Sequence, residues 1–305
     1  MMNVYVVIIP VVILILLILL LGTALGLATF IMTGKRQSLE EAFAWQTAHY
    51  DTSFYETIEK EEYIVQSTDG YELHVQLLKN PVPTTRYMLI SHGYTDNRMG
   101  ALKYVPLYLA LGFHCIIYDL RGHGLNQLTY TTYGIREGRD IAALVQDIRQ
   151  RYPDLSVLGL HGESLGAAST ITALKYRPAA DFVVADCGFM DIENVLRGGF
   201  RMMHVPQWLY PVADFGAKLR YHHSFREMQP IMALSENEIP ILFLHGSKDT
   251  LIPPRNSEEM CKRTKGYGEV HLIEGAAHAE AVIVDPVSYR AYTEAFLKQL
   301  GILAQ

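Results

Sequence analysis

The chain is short of the residues that mark several common classes of protein. Among 305 residues there are only three cysteines, Cys115, Cys187 and Cys261. An odd number at wide spacing gives no disulfide framework and suits a reducing compartment. His222–His223 lacks cysteine or carboxylate partners at ligand spacing, so no metal is expected there. Basic side chains are not in excess: 26 Lys and Arg stand against 32 Asp and Glu, a net charge of −6. That balance lacks the electrostatic footprint of a nucleic-acid binder. Internal repeats and low-complexity tracts are also missing.

Charge is absent altogether from one stretch. From Val4 to Thr33 no residue carries a formal charge, and Val4–Leu21 is almost purely aliphatic. At a rise of ~1.5 Å per residue, about 20 residues cross a ~30 Å hydrocarbon layer, so residues 4–33 are expected to form a transmembrane anchor. A cleaved signal peptide would want a basic start, a shorter apolar core and a small-x-small exit. Met1–Met2–Asn3 offers no basic side chain. Lys35 and Arg36 follow the span and none precede it, which places the rest of the chain in the cytoplasm by the positive-inside rule. The expected location is a cell membrane, crossed once.

Residues 34–60 read as a connector. Within it Ser38–Leu39–Glu40–Glu41 fits a capping box, with Ser38 starting a short helix and Glu41 reaching back. Glu61–Ser67 and Tyr71–Leu78 read as two strands of a hairpin, turned by Thr68–Asp69–Gly70. From Arg86 onward short apolar strands alternate with helices. The strands are Tyr87–Ser91, Phe113–Tyr118, Leu155–Leu160, Phe182–Ala185, Ile241–Leu244 and Val270–Ile273. The helices are Asn97–Leu111, Ile135–Tyr152, the segment after Ser164, Ser257–Lys265 and Pro286–Leu300. Buried strands each followed by a helix make a mostly parallel sheet covered on both faces. Chemistry in such sheets gathers at the carboxyl ends of the strands. Those ends read His92–Gly93, Asp119, Ser164, Asp186, Asp249 and His278. Between about 189 and 238 the rhythm breaks, and this aromatic-rich segment reads as a helical cap insertion.

The stretch that organises the rest is Gly162–Glu163–Ser164–Leu165–Gly166. A buried strand stops there and a helix of small residues begins at once, leaving a serine at the apex of a very tight turn. Glycines two positions either side allow the strained backbone that projects the hydroxyl. Serine is a poor nucleophile without a base, and the base needs a partner to hold its tautomer. Asp249 lies just past one strand and His278 in a small-residue loop just past the next. The chain order Ser164, Asp249, His278 is the order expected of an acyl-transfer triad built on such a sheet. Asp186 is a rival for the acid, and Asp249 could instead serve only to cap the helix after it by accepting a backbone N–H. His92, Arg121 and His123 read as braces of their loops, and His161 and His245 as packed side chains.

These motifs resemble those of the α/β-hydrolase superfamily over about Glu61 to Leu300. Within it the chain is similar to membrane-anchored bacterial serine hydrolases of the serine-aminopeptidase-like (S33-type) esterase group. The resemblance is carried by His92–Gly93–Tyr94, Asp119–Leu120–Arg121–Gly122–His123–Gly124, the serine turn, Asp249 and His278. It implies an eight-stranded α/β-hydrolase domain over 61–301 with the cap inserted. It also implies that Ser164 is the nucleophile, Asp249 the acid and His278 the base. The backbone amides of Tyr94 and Leu165 would then be the oxyanion donors. The implied activity is hydrolysis of an ester, thioester or amide through an acyl-enzyme, with no cofactor. The expected partners are a small-molecule acyl substrate and, through the anchor, the membrane. Two other readings stay open: a membrane-tethered acyltransferase, and a binding module with a vestigial site.

Overall fold

The computed structural model describes residues 4–304. They divide into two compact units, one made of residues 4–34 and 192–228, the other of 35–191 and 229–304.

The larger unit is built on one eight-stranded sheet in the order β1-β2-β4-β3-β5-β6-β7-β8. Its strands are β1 (Lys60–Gln66), β2 (Glu72–Leu78), β3 (Arg86–Ser91), β4 (His114–Tyr118), β5 (Val157–Glu163), β6 (Phe182–Asp186), β7 (Ile241–Gly246) and β8 (Gly268–Ile273). β1 and β2 pair as the expected hairpin, and β2 meets β4 antiparallel. Gly70 turns that hairpin at φ +79° and donates its N–H to the Ser67 carbonyl. From β4 onward every neighbouring pair is parallel. The register sets Ser91 opposite Gly162, and Glu163 opposite Asp186. The carboxyl ends of the central strands therefore finish level with one another.

Successive strand residues face opposite ways. Met88, Ile90, Phe182, Val184, Leu242 and Leu244 enter one core with Tyr104, Tyr108, Tyr289 and Phe296. Leu89, Val183 and Phe243 belong to the other face. The helices of this unit outside the serine turn are α2 (Leu39–His49), α3 (Phe54–Thr57), α4 (Val105–Ala110), α5 (Ile135–Arg151), α9 (Arg255–Arg263), α10 (Ala281–Val284) and α11 (Pro286–Gln299); α6 (Leu165–Ala173) follows the serine. α2 starts on the capping box as expected: Glu41 N–H donates to Ser38 Oγ at 3.1 Å, and Ser38 N–H to Glu41 Oε2 at 3.0 Å. One expected helix, Asn97–Leu111, is divided. Arg98–Tyr104 is a 3₁₀ helix capped by Asn97, and α4 begins at Val105 with Pro106 in its first turn. Pro106 has no N–H to continue the earlier ladder, so a new helix starts there.

In the smaller unit α1 (Val4–Met32) packs on α8 (Leu209–Tyr221), and α7 (Ile192–Met202) precedes α8 in the chain. α1 is long and apolar enough to cross a membrane. The helical nature expected of the insertion is seen here. Its segment Pro230–Glu236, a 3₁₀ helix, belongs to the larger unit.

Candidate active site

Ser164 stands between the last residue of β5 and the first of α6, at φ 52° and ψ −112°. A non-glycine residue is strained there, and the surrounding packing imposes it. A Cβ on Gly162 would come within 2.4 Å of the Gly166 carbonyl oxygen, and one on Gly166 within 2.2 Å of the Ser91 carbonyl oxygen. Only glycines let α6 start this close to β3 and β5. Ser164 N–H donates to the Asp186 carbonyl at 2.9 Å, which ties the apex to β6.

His278 reaches the serine from the loop after β8, which Gly275 and Ala279 turn at φ +79° and +61°. Its Nε2 lies 2.9 Å from Ser164 Oγ, and its Nδ1 lies 2.7 Å from Asp249 Oδ2. An ionised carboxylate only accepts, so Nδ1 carries the proton and Nε2 presents its lone pair to the serine hydroxyl. Asp249 divides its two oxygens between two tasks. Oδ1 accepts the N–H groups of Leu251 and Ile252 at 3.0 and 2.8 Å, holding its own turn. Oδ2 faces His278 and also lies 3.2 Å from His245 Nε2. Burial alone would raise the Asp249 pKa; the bonds from His245 and His278 outweigh it and hold the carboxyl well below its usual range. Asp249 therefore does not cap the helix after it: α9 starts only at Arg255, and Oδ1 holds the turn before it. Asp186, the rival acid, is occupied elsewhere: Tyr104 and Tyr289 hydroxyls each lie 3.0 Å from its Oδ2.

Leu165 opens α6, so its N–H is one of the first-turn amides that have no carbonyl within the helix. Tyr94 follows Gly93 in the loop after β3. A Cβ on Gly93 would stand 2.9 Å from Glu163 Oε1 and 3.5 Å from Ser164 Cβ, so this loop lies directly against the serine. His92 braces it, donating from Nδ1 to the Gly93 carbonyl at 2.8 Å while Nε2 accepts the Leu120 N–H at 2.9 Å. Burial pushes His92 down to about 4, which keeps the ring neutral in both bonds. Arg121 grips Asp140 and Asp69, and His123 Nδ1 meets the Arg121 carbonyl at 3.0 Å. His161 bonds the Tyr108 hydroxyl, and His245 bonds Ser257 and the Ile252 carbonyl.

Cys187, Asp249 and His278 place possible ligand atoms within 4.8 Å of one another. Burial raises the Cys187 thiol well above its ordinary pKa, so it stays protonated. With the thiol protonated and Asp249 and His278 already bonded to each other, these three side chains do not form an open donor set for a metal ion.

Residues 101–282 match the model of the prolyl oligopeptidase family. The chain belongs to that family. It is 33% identical over 257 residues to the Bacillus subtilis (strain 168) protein YqkD, covering 81% of this chain and 82% of YqkD. It is 25% identical over 209 residues to the Saccharomyces cerevisiae membrane protein YNL320W, covering 68% of each. Among solved structures the Pyrococcus furiosus esterase Pf2001 superposes with a TM-score of 0.68 at 24% identity, over 82% of this chain and 94% of that one. The superfamily named from the motifs is the one these matches show, and this prolyl oligopeptidase family member is a hydrolase of the α/β class.

One part of the site was not legible in its sequence. Lys103 is buried, ion-paired with Glu163, and donates to the Ala279 carbonyl at 2.8 Å. It therefore joins the residue before Ser164 to the residue after His278. Burial alone would lower its pKa, but the Glu163 carboxylate holds it above the ordinary value. Tyr104 Oη adds a 2.5 Å contact to Glu163 Oε2. A lysine within a largely apolar stretch carries no pattern that distinguishes a buried tie from a solvated side chain.

Proposed function

We propose that this chain is a membrane-anchored serine hydrolase that cleaves ester-type acyl bonds through an acyl-enzyme on Ser164. The observation that carries the reading is the unbroken chain from Ser164 Oγ through His278 to Asp249, at 2.9 and 2.7 Å. Those are the separations that proton transfer needs.

The serine oxygen attacks the acyl carbonyl carbon as its proton passes to His278 Nε2. The carbonyl electron pair moves to oxygen, beside the amides of Leu165 and Tyr94, each worth ~3 kcal/mol to such a charge. As the tetrahedral intermediate collapses, the protonated His278 gives that proton to the leaving alcohol. Water then repeats the attack on the acyl-enzyme, deprotonated by His278, and the released serine takes the proton back. Asp249 stabilises the imidazolium in both halves and fixes its tautomer.

An ester or thioester fits better than a peptide with a free amino end. Such an amine needs an uncommitted carboxylate, and the two acids flanking the serine loops are engaged. Glu163 pairs with Lys103, and Asp96 accepts from Gln46 Nε2 and its neighbour Asn97 N–H. The anchor is supported by the apolar length of α1 and by the naming of the yeast relative as a membrane protein. Lys35 and Arg36 favour a cytoplasmic catalytic unit.

The direct test is Ser164→Ala assayed on short-chain p-nitrophenyl esters. Turnover should fall by roughly 10⁴-fold or more at unchanged melting temperature. Activity near that of the unsubstituted chain would end the proposal.

A further inference from the structure

We propose that α8 is a second membrane-contacting element, its amino-terminal half seated beside α1 in the bilayer leaflet that α1 leaves. The inference rests on the anchor reading and goes beyond it. The argument starts from how α8 lies on α1. Gly216 is so close that a Cβ there would fall 2.0 Å from the Ala24 carbonyl oxygen, and five residues on Tyr221 Oη meets Thr29 Oγ1 at 3.3 Å. Residue numbers rise together along both helices, so α8 runs beside α1 in the same direction. Residues before Gly216 must then lie beside α1 residues before Ala24, which is the aliphatic run. The apolar groove between the helices bears this out, being lined by Leu17, Leu20 and Leu21 on one side and Pro211, Val212 and Phe215 on the other.

The polarity of the two helices changes at the same level. Val205 to Ala213 carries no charged residue; Asp214 accepts from Ser224 Oγ and the Phe225 N–H at 2.8 and 2.7 Å, and Lys218 and Arg220 lie beyond Gly216. α1 is 29 residues long, more than the ~20 that a ~30 Å layer needs, so its last turns emerge from the hydrocarbon. There Ala24, Ala28, Ile31 and Met32 become buried, whereas Val6 to Leu21 is exposed throughout, a uniformly apolar surface. α8 buries Tyr210, Ala213 and Ala217 on one face. On the opposite face Trp208, Phe215 and Leu219, spaced seven and four apart, remain 64%, 58% and 50% exposed. Water is a costly neighbour for a stripe this apolar. It is continuous with the lipid-facing surface of α1, and its tryptophan, eight residues before Gly216, lies on the aliphatic side of that level. The cationic end of α8 points toward the headgroups.

The chain has two tryptophans, Trp45 and Trp208, which makes the test direct. The full-length Trp45→Phe variant would be reconstituted into phosphatidylcholine–phosphatidylglycerol vesicles. Trp208 emission would then be read with lipids brominated near the headgroup or deep in the acyl chain, and with aqueous acrylamide. The complementary Trp208→Phe variant isolates the same signal by difference if the first fails to fold. Acyl-chain bromines should cut Trp208 emission roughly twofold or more, headgroup-proximal bromines less, and acrylamide little. Vesicle-bound protein whose Trp208 is reached by acrylamide and not by bromine overturns the proposal. So does a Trp208 reached by neither and cross-linked to a second copy. A chain that does not float with vesicles removes the anchor reading and this one together, an outcome distinct from both.

Discussion

At the scale of single residues, the account turns on how Asp249 and His278 divide their bonds. Asp249→Asn keeps the size of the side chain and the acceptor for Leu251 and Ile252. It also offers His278 Nδ1 an N–H where a carboxylate was, favouring the wrong tautomer. Turnover on p-nitrophenyl esters should drop roughly 10³–10⁴-fold with KM little changed. A drop confined to KM would mean that Asp249 serves binding and not proton transfer. Asp186 makes a different prediction, because burial, helped by the Glu163 charge, pushes its carboxyl up to about 6 from an ordinary 3.8, against the opposing pull of Lys103 and the two tyrosines. The folded state thus holds this proton more tightly than the unfolded chain does. Ionising the group costs no stability below its ordinary value, a growing amount as pH rises through about 6, and a constant amount above. Asp186→Asn should therefore raise the melting temperature at pH ~8 and leave it nearly unchanged at pH ~3, below the ordinary value. Equal shifts at both values would contradict the assignment.

At the scale of elements, the serine turn is set by close approach. Gly166→Ala puts a Cβ 2.2 Å from one backbone oxygen and 2.6 Å from the next, that of His92. The overpacking should cost ~1–3 kcal/mol and lower the melting temperature by roughly 2–10 °C, with activity falling in step. Gly199 in α7 is the control, since a Cβ there meets nothing within 4 Å. Gly199→Ala should be neutral or stabilising by ~0.5–1 kcal/mol. Equal effects at the two positions would mean that glycine entropy, not contact, governs both.

The same contrast explains what could be read in advance. Gly162, Ser164 and Gly166 announce themselves because the turn permits few other residues. The strands were legible as short apolar runs, and their carboxyl ends gave the polar positions that meet at the serine. The division of the helix at Val105 was less visible, because Pro106 can open a helix or interrupt one. Lys103 and Glu163 were hidden for another reason: a buried ion pair joins residues 60 apart, and no local pattern encodes it. Chain order names Asp249 as the acid, while Asp186 stays a rival because no local pattern shows the tyrosines from distant segments that engage it.

At the scale of the whole molecule, the apolar run at one end and the motif-bearing domain make separable claims. If α1 anchors the chain and Lys35 and Arg36 mark the cytoplasmic side, protease added to intact cells should leave the domain uncut, and permeabilised cells should lose it. Digestion in intact cells would reverse the orientation and leave the chemistry untouched. That chemistry has its own decisive measurement. The full-length protein is treated with a fluorophosphonate, and the modified residue is located by peptide mass spectrometry in the unsubstituted chain and in His278→Ala. A single adduct on Ser164, forming roughly 10³-fold or more slowly without the imidazole, is the predicted result. An adduct on another residue, or one on Ser164 that forms as fast without His278, would contradict it.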